Sequence, residues 1–186
     1  MKHRFVVLAA VAVVGVSAVA TSATAAPARQ ASMDQTIVQV AAGSPSFSTL
    51  VSLVKKAGLV GTLSGTGPFT VFAPTNAAFK AVPAKILAAL AKPANKKLLA
   101  TVLTYHVLSG EVKSGAALAA AKAGKSVSTV EGEKIKLSVK GGSIWLNGSA
   151  KVVKADVLAS NGVIHVINKV ILPPSVVAKL KTLGLL

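Results

Sequence analysis

The spacing of apolar residues changes near Lys125, and this change restricts the possible folds more than any other feature of the sequence. Before Lys125, apolar residues recur mainly at helical intervals, as they do between Phe47 and Ala57. After it they alternate with polar residues, as they do from Lys134 to Lys140. Helical intervals indicate amphipathic helices, whereas alternation indicates strands with one buried face. Helices in the first half and antiparallel strands in the second are typical of a single α+β domain.

The predicted elements begin and end at residues that commonly occupy such positions. Glycine follows several of the helices, and proline stands near the first turn of two others. The predicted helices are 34–42, 47–57, a short helix after Thr75, 83–90, 93–103 and 115–123. Asp34 is predicted to cap the first helix, and 61–67 is predicted to be a loop. The predicted strands are 68–72, 105–108, 134–140, a return strand through 144–146, 152–153, 163–167 and 170–172.

Strand 134–140 and its return strand are predicted to form a hairpin around Gly141-Gly142. Two adjacent glycines favour a two-residue turn, because both central positions of the commonest such turn need a positive φ. With this turn, apolar partners oppose one another on the core face, namely Val139 with Ile144 and Leu137 with Leu146. The residues between them consequently face outward.

Trp145, the single tryptophan, belongs to this outward face. The register places it opposite Ser138, and three lysines share its face: Lys134, Lys136 and Lys140. An exposed indole among ammonium groups can stack on a sugar or anchor a protein partner. The alternative is that a helix covers Trp145 and makes it part of the core. The adjacent Asn147-Gly148-Ser149 is a glycosylation sequon if the protein passes through a eukaryotic secretory pathway.

The first 25 residues have the layout of a secretory signal peptide. Lys2 and Arg4 form a basic start, an uncharged apolar run extends over 5–20, and Ala23-x-Ala25 is a small-residue cleavage pattern. The apolar run is shorter than the roughly 20 residues of a membrane-spanning helix, and an uncleaved anchor is the alternative. We therefore expect a signal peptide at 1–25, a loose segment at 26–33, one domain at 34–174, a C-terminal tail at 175–186 and a secreted product, extracellular or periplasmic. No transmembrane segment is expected after cleavage.

The charge of the mature chain is strongly positive. The sequence has 21 basic residues, 5 acidic residues and no cysteine. Loss of Lys2 and Arg4 leaves 19 basic residues against the same 5 acidic ones. Such a chain attracts acidic polymers, but nearly all its cations are lysines, which lack the planar fork that reads bases. We expect diffuse, salt-sensitive polyanion binding without sequence-specific nucleic-acid recognition, or else a basic surface that only keeps the protein soluble.

Three segments together resemble one protein family. Phe69–Phe79 resembles the first signature of the fasciclin-domain family, and Asn161–Pro173 resembles the second. Tyr105-His106 lies between them, where that family has a Tyr-His pair. The resemblance covers residues 36–174 and extends to the small secreted fasciclin proteins of bacteria. It implies one domain with a helical cluster packed on an antiparallel β-sandwich-like wedge, and adhesion to cell-surface or extracellular-matrix proteins or acidic glycans.

The resemblance also implies candidate partner-binding residues. In animal members, the Tyr-His region and an Asp-Ile pair before the second signature are implicated in integrin binding. Tyr105-His106 matches the first, and Asp156-Val157 resembles the second. The alternative is a structural role for all four residues. For His106 and His165, among apolar neighbours, that role is a buried, hydrogen-bonded histidine.

Few features of the sequence indicate an enzyme. There is no Gly-x-Ser-x-Gly elbow, and Gly124-Lys125-Ser126 follows a helix and precedes a strand, the reverse of a phosphate-binding loop. The histidines and carboxylates have no metal-ligand spacing, and the absence of cysteine excludes disulfides and thiolate metal sites. We expect no catalytic residue, metal or cofactor. The alternative function is an exported small-molecule-binding or hydrolytic protein on the same scaffold.

Overall fold

The computed structural model describes residues 34–186, so the predicted signal peptide 1–25 and loose segment 26–33 lie outside the described residues. The α-helices are α1 (Ile37–Ala42), α2 (Ser48–Ala57), α3 (Val60–Leu63), α4 (Asn76–Lys80), α5 (Ala84–Leu90), α6 (Lys96–Tyr105), α7 (Ser114–Lys122) and α8 (Pro174–Thr182). The strands are β1 (Phe69–Pro74), β2 (Val107–Ser109), β3 (Ser126–Ser128), β4 (Lys134–Lys140), β5 (Ser143–Leu146), β6 (Ala150–Ala159) and β7 (Gly162–Ile167). Short 3₁₀ turns, Pro45–Phe47 and Pro93–Asn95, precede α2 and α6.

The strands form one sheet in the order β2-β1-β7-β6-β5-β4-β3. Its neighbouring strands are antiparallel except β1 and β7, which run parallel from Phe69 opposite Gly162 to Pro74 opposite Ile167. The α+β class is confirmed, but this parallel pair makes the sheet mixed rather than wholly antiparallel. The pairing also places the two segments that resemble family signatures side by side.

The two ends of the sheet approach each other. Leu108 of β2 forms an isolated antiparallel bridge with Thr129, just beyond β3. The Val130 N–H donates to the Val107 carbonyl oxygen at 2.8 Å. Unpaired edge strands can pair with other chains, and this contact partly covers both edges. The sheet is therefore nearly closed on itself.

The buried side chains form two clusters. The helical cluster lies between several helices and the β1–β7 pair and includes Leu50, Val54, Leu99, Leu103 and Ile164. The hairpin cluster lies between α7 and the inner faces of β4 and β5, and includes Ala117, Ala121, Ile135, Leu137 and Leu146. The small alanine side chains of α7 let this helix lie close to the hairpin. The hairpin consequently has one buried face and one outer face.

Asn161 links the sheet to the helices. Its Oδ1 accepts a hydrogen bond from the Ile37 N–H at 2.9 Å. Its Nδ2 donates to the carbonyl oxygens of Leu63 at 2.8 Å and Gly65 at 3.0 Å. One side chain at the start of β7 therefore fixes the beginning of α1 and the end of α3.

Two predictions for the first helices are wrong. The first helix begins at Ile37, not near Asp34, because Gln39 Oε1 accepts from the Thr36 N–H at 2.8 Å and Thr36 occupies the N-cap. Part of the predicted 61–67 loop belongs to α3. The predicted cap at Thr75 is confirmed, because its side chain accepts from the Ala78 N–H at 3.3 Å.

Two predicted strand segments also differ. Tyr105 ends α6 and His106 caps it, so the strand begins only at Val107. Residues 170–172 form no strand. The Ile171 N–H donates to His106 Nε2 at 3.2 Å, so a side chain satisfies an amide that would otherwise pair with a neighbouring strand.

The predicted C-terminal tail contains a helix that packs against the core. In α8, Val176 is 1% exposed and Leu180 is fully buried, and both belong to the helical cluster. Their spacing of four residues places them on one helical face. No helix between residues 34 and 186 has the length and apolar composition to cross a bilayer.

The burial of Leu180 gives a stability prediction. Leu180→Ala should lower the free energy of unfolding by about 2–5 kcal/mol, because it removes buried methyl groups and leaves a cavity. Urea denaturation monitored by circular dichroism measures this loss. Lys181→Ala, at an exposed position of the same helix, is the control and should change stability by only about 0.5 kcal/mol. Equal effects of the two substitutions would contradict the packing of α8.

Candidate functional site on the outer sheet face

The β4–β5 hairpin has the register predicted from its sequence. Gly141 and Gly142 have φ values of 56° and 72°, the left-handed conformation that a type I′ turn needs. The pairing opposes Leu137 with Leu146, Ser138 with Trp145, and Val139 with Ile144. Because directly opposed residues share a face, the register fixes which side chains point away from the core.

The outward-facing residues that pair across β3 to β6 are lysines, serines and one tryptophan. The pairing of these strands brings together Ser126, Ser128, Lys134, Lys136, Ser138, Lys140, Ser143, Trp145 and Lys151. We call this set the lysine face. It contains no carboxylate, and Lys134, Lys136 and Lys140 are all exposed.

Trp145 is half-buried on the lysine face. Its Nε1–H donates to the Lys140 carbonyl oxygen at 3.3 Å, and the Lys140 Nζ lies 5.7 Å from the ring centroid. A cation at this distance is attracted to the ring. The helix of the hairpin cluster, α7, packs on the opposite face of the sheet. The indole is therefore held in place by the hairpin itself rather than enclosed in the core.

The lysines of this face have no carboxylate partner among the described residues. Lys113 is the only lysine between residues 34 and 186 that forms an ion pair, with Glu111 at 3.2 Å. Two other carboxylates are engaged near the start of β4: Glu131 Oε2 accepts from the Glu133 N–H at 3.3 Å, and Glu133 Oε1 accepts from the Ser175 N–H at 3.3 Å. The positive charge of the lysine face is therefore not neutralised within the domain.

Tyr105 supports the lysine face from inside the domain. Its side chain is fully buried, and its hydroxyl donates to the Lys134 carbonyl oxygen at 3.1 Å. The same hydroxyl accepts from Asn147 Nδ2 at 2.9 Å, while Asn147 Oδ1 accepts from the Lys136 N–H at 2.9 Å. Burial raises the pKa of the Tyr105 hydroxyl above its ordinary value. Tyr105 thus positions the backbone that carries two of the lysines.

Asn147 is a residue whose role the sequence analysis missed. The sequence marked it only as part of a sequon, whereas its Oδ1 holds the end of β5 to β4 through the Lys136 N–H and its Nδ2 donates to the Tyr105 hydroxyl of α6. Its φ of 49° lies in the left-handed region, which asparagine tolerates better than most residues. An asparagine before glycine, just after a strand, was the feature that could have indicated this turn role.

His106 is buried and fully hydrogen-bonded. It is 2% exposed, its Nδ1–H donates to the Val102 carbonyl oxygen at 2.7 Å, and its Nε2 accepts from the Ile171 N–H. Burial lowers its pKa to about 4, so the ring is neutral near pH 7. The Tyr105-His106 pair, predicted as a candidate partner-binding site, is inside the domain and has no surface to offer a partner. Its contacts are those of structural residues.

Asp156 caps α7 from a bulge in β6. Its φ is 55°, and its carboxylate accepts from both the backbone N–H and the hydroxyl of Ser114. Desolvation acts to raise the pKa of Asp156, but the hydrogen bonds from Ser114 and the nearby His165 and Lys113 outweigh it and lower this pKa. Asp156 therefore stabilises the fold through Ser114 at pH values above the ordinary carboxyl pKa. This stabilisation is lost as the pH falls below that value.

The neighbours of Asp156 are also structurally engaged. Val157 is half-buried and packs against the helical cluster. The Asp156 N–H donates to His165 Nδ1 at 3.4 Å, and His165 Nε2–H donates to the Val112 carbonyl oxygen at 2.7 Å. Of the predicted partner-binding residues, the structure thus brings Trp145 and the three lysines onto one surface, and gives Tyr105, His106, Asp156 and Val157 internal contacts.

Comparison with known proteins identifies the family. Residues 45–173 match the family model described as Fasciclin domain. The chain belongs to the fasciclin-domain family. The fold agrees with this assignment: a FAS1 domain pair from the insect cell adhesion molecule Fasciclin I superposes with a TM-score of 0.68 at 20% identity, over 77% of this chain and 52% of that one.

Relatives of this fasciclin domain occur in bacteria and animals. Protein sll1483 of Synechocystis sp. is 52% identical over 147 residues, which are 78% of each chain. Immunogenic protein MPB70 of Mycobacterium bovis is 34% identical over 80% of this chain and 75% of its own. Transforming growth factor-beta-induced protein ig-h3 of Sus scrofa is 39% identical over 75% of this chain but only 20% of its own length.

The buried histidine makes the stability of this fasciclin domain depend on pH. The unfolded chain protonates His106 below about pH 6.5, whereas the folded domain protonates it only near pH 4. The contribution of the neutral ring to the free energy of unfolding is therefore complete above pH 6.5. It is lost as the pH falls to about 4, and the whole loss is about 3 kcal/mol. Urea denaturation between pH 7.5 and 4.5 measures this loss.

The matched variant is His106→Gln, which keeps a polar side chain but cannot take up the proton. Its free energy of unfolding should fall less than that of the wild type over the same pH range, whatever its absolute stability. A variant as sensitive to pH as the wild type would show that His106 is not the responsible group.

Proposed function

We propose that this fasciclin-domain protein is an exported surface-interaction module whose lysine face binds acidic glycans or other acidic polymers of cell surfaces or matrix. In this proposal, residues 1–25 are removed and the mature protein acts outside the cytoplasm. The observation that carries it is the composition of the lysine face, where exposed ammonium groups surround one tryptophan without a carboxylate. A structural relative described as a cell adhesion molecule supports the same class of function.

The geometry of the lysine face suits an extended polyanion. Lys134, Lys136 and Lys140 follow one strand, and Lys151 lies two strands away beside Trp145. Neighbouring strands are roughly 5 Å apart, so the ammonium groups cover an area rather than a pocket. Each is a point charge with rotatable donors, which favours attraction over a fixed bidentate geometry. Binding should therefore be strongly salt-dependent and tolerant of polymer sequence.

Trp145 supplies the apolar part of this surface. A sugar ring presents C–H groups that can pack on an indole, while its hydroxyls can bond to the serines of the same face. Ser138 and Ser143 lie directly opposite Trp145 and Lys140. A glycan with acidic substituents fits this combination better than a uniformly charged inorganic surface does, because it uses the ring and the hydroxyls as well as the charges.

The alternative of an exported hydrolase or small-molecule-binding protein has weaker support. Hydrolysis by a triad requires a pocket in which a histidine meets a carboxylate. The cavity beside His106 is lined by apolar side chains such as Val54, Val71 and Leu103, with no carboxylate in its lining. The neutral His106 ring is also fully hydrogen-bonded. We therefore favour surface interaction.

Charge removal tests the lysine face. The double variant Lys134→Gln/Lys136→Gln should weaken binding to immobilised heparin. The slope of log affinity against log salt concentration should also become shallower, by up to about one unit per lost contact, because fewer counterions are released. Surface plasmon resonance at several salt concentrations measures both. Lys179→Gln/Lys181→Gln removes the same charge from α8. If this control loses as much affinity, attraction follows net charge and not the lysine face.

Truncation of the indole separates stacking from charge. Trp145→Ala should weaken heparin binding severalfold with a nearly unchanged salt slope, since no counterion is displaced by the ring. Because the ring is half-buried, unfolding free energy should fall by about 1–2 kcal/mol, from loss of the Lys140 contacts. Trp145→Phe keeps an aromatic face and should retain most of the affinity. Unchanged affinity of Trp145→Ala would show that the ring takes no part in binding.

A further inference from the structure

A second lysine-lined surface lies on the helical side of the domain. It is a cleft of about 380 Å³ between the end of α2 and the start of α6, lined by Lys56, Ala91, Lys92, Pro93, Lys96 and Leu99. The three lysines come from different segments: the last turn of α2, the connection after α5 and the first residue of α6. The fold, rather than one run of sequence, brings these cations together.

One of these ammonium groups is directed at the end of α2. The Lys96 Nζ lies 3.4 Å from the point that a Cβ atom on Gly58 would occupy, and Gly58 caps α2. The carbonyl end of a helix carries partial negative charge, which favours a cation there. Lys55 and Lys56 already occupy the same turn. Lys96 therefore adds positive charge where the helix end has its own basic residues.

The cleft contains no compensating negative side chain. None of its lining residues is acidic, and none of its three lysines forms an ion pair with a described carboxylate. Like charges near one another repel, and water screens part of this repulsion because Lys56, Lys92 and Lys96 are all exposed. An anion between the lysines would replace this repulsion with attraction.

We infer that this cleft binds a single tetrahedral oxyanion, a phosphate or sulfate group. Three ammonium groups, each with three rotatable donors, can satisfy the several oxygens of such a group. The cleft is concave and can surround one anionic group, whereas the flat lysine face suits a polymer. The inference does not depend on the proposed function, because the cleft adjoins the helical cluster through Leu99 and the lysine face adjoins the hairpin cluster through Leu137.

Titration with inorganic phosphate tests the cleft directly. Backbone amide shifts in ¹H–¹⁵N NMR spectra should change saturably at Lys56, Lys92, Lys96 and Leu99, with chloride at equal ionic strength as the reference. Lys92→Gln/Lys96→Gln should weaken phosphate binding at least tenfold. Lys80→Gln/Lys85→Gln, which removes the same charge from exposed positions outside the lining, should bind within about twofold of the wild type.

Three outcomes would overturn the inference: no saturable change, equal changes at lysines throughout the surface, or equal losses in the two double variants. Two further titrations identify the source of the oxyanion. Tighter binding of glucosamine 6-sulfate than of inorganic sulfate would indicate an ester group on a sugar, and equal or weaker binding would indicate the free ion. The Lys134→Gln/Lys136→Gln variant should bind phosphate as the wild type does, which separates this test from that of the lysine face.

Discussion

The parallel pairing of β1 with β7 is the contact on which the rest of the domain depends. The two strands and the residues just before them approach closely. A Cβ atom on Gly162 would overlap the Phe69 carbonyl group, and one on Gly67 would overlap the Asn161 carbonyl group. Gly162 also has a φ of 151°, which favours glycine. Asn161 then hydrogen-bonds the backbone of α1 and α3. The position of the helical cluster on the sheet follows from this one close approach.

The lysine face is held from the inside by hydrogen bonds that join the two clusters. Tyr105, at the end of α6, reaches the start of β4 and the end of β5 through the Lys134 carbonyl oxygen and Asn147. A buried hydroxyl with a donor and an acceptor partner is costly to leave unpaired, so it restrains the strands. A surface that binds through mobile lysine side chains thereby has a fixed backbone. The residues that resemble a partner-binding pair in the family act here by positioning and packing.

The charge distribution follows from how the few carboxylates are used. Asp156 caps α7, Glu133 bonds the start of α8, and Glu111 pairs with Lys113. These contacts keep acidic groups away from the lysine face and from the cleft between α2 and α6. The lysines of these two separate surfaces, one flat and one concave, therefore remain without an ion-pair partner among the described residues. The same excess of lysine can serve a polymer on one surface and a compact oxyanion on the other.

The hairpin register and the α+β class were predictable from sequence, because alternation and a Gly-Gly turn act between residues close in the chain. The register placed Trp145 on the outward face but left open whether a helix covers it. The family could be recognised from its two signature segments. What the sequence left undetermined depends on contacts between distant segments. The parallel β1–β7 pair, the bond from His106 to Ile171 and the packing of Leu180 join residues far apart in the chain. No local periodicity encodes such contacts, because they form only when the tertiary structure brings both partners together. The tertiary structure alone therefore decided that Lys151 joins the face of Trp145 and that Lys56, Lys92 and Lys96 line one cleft.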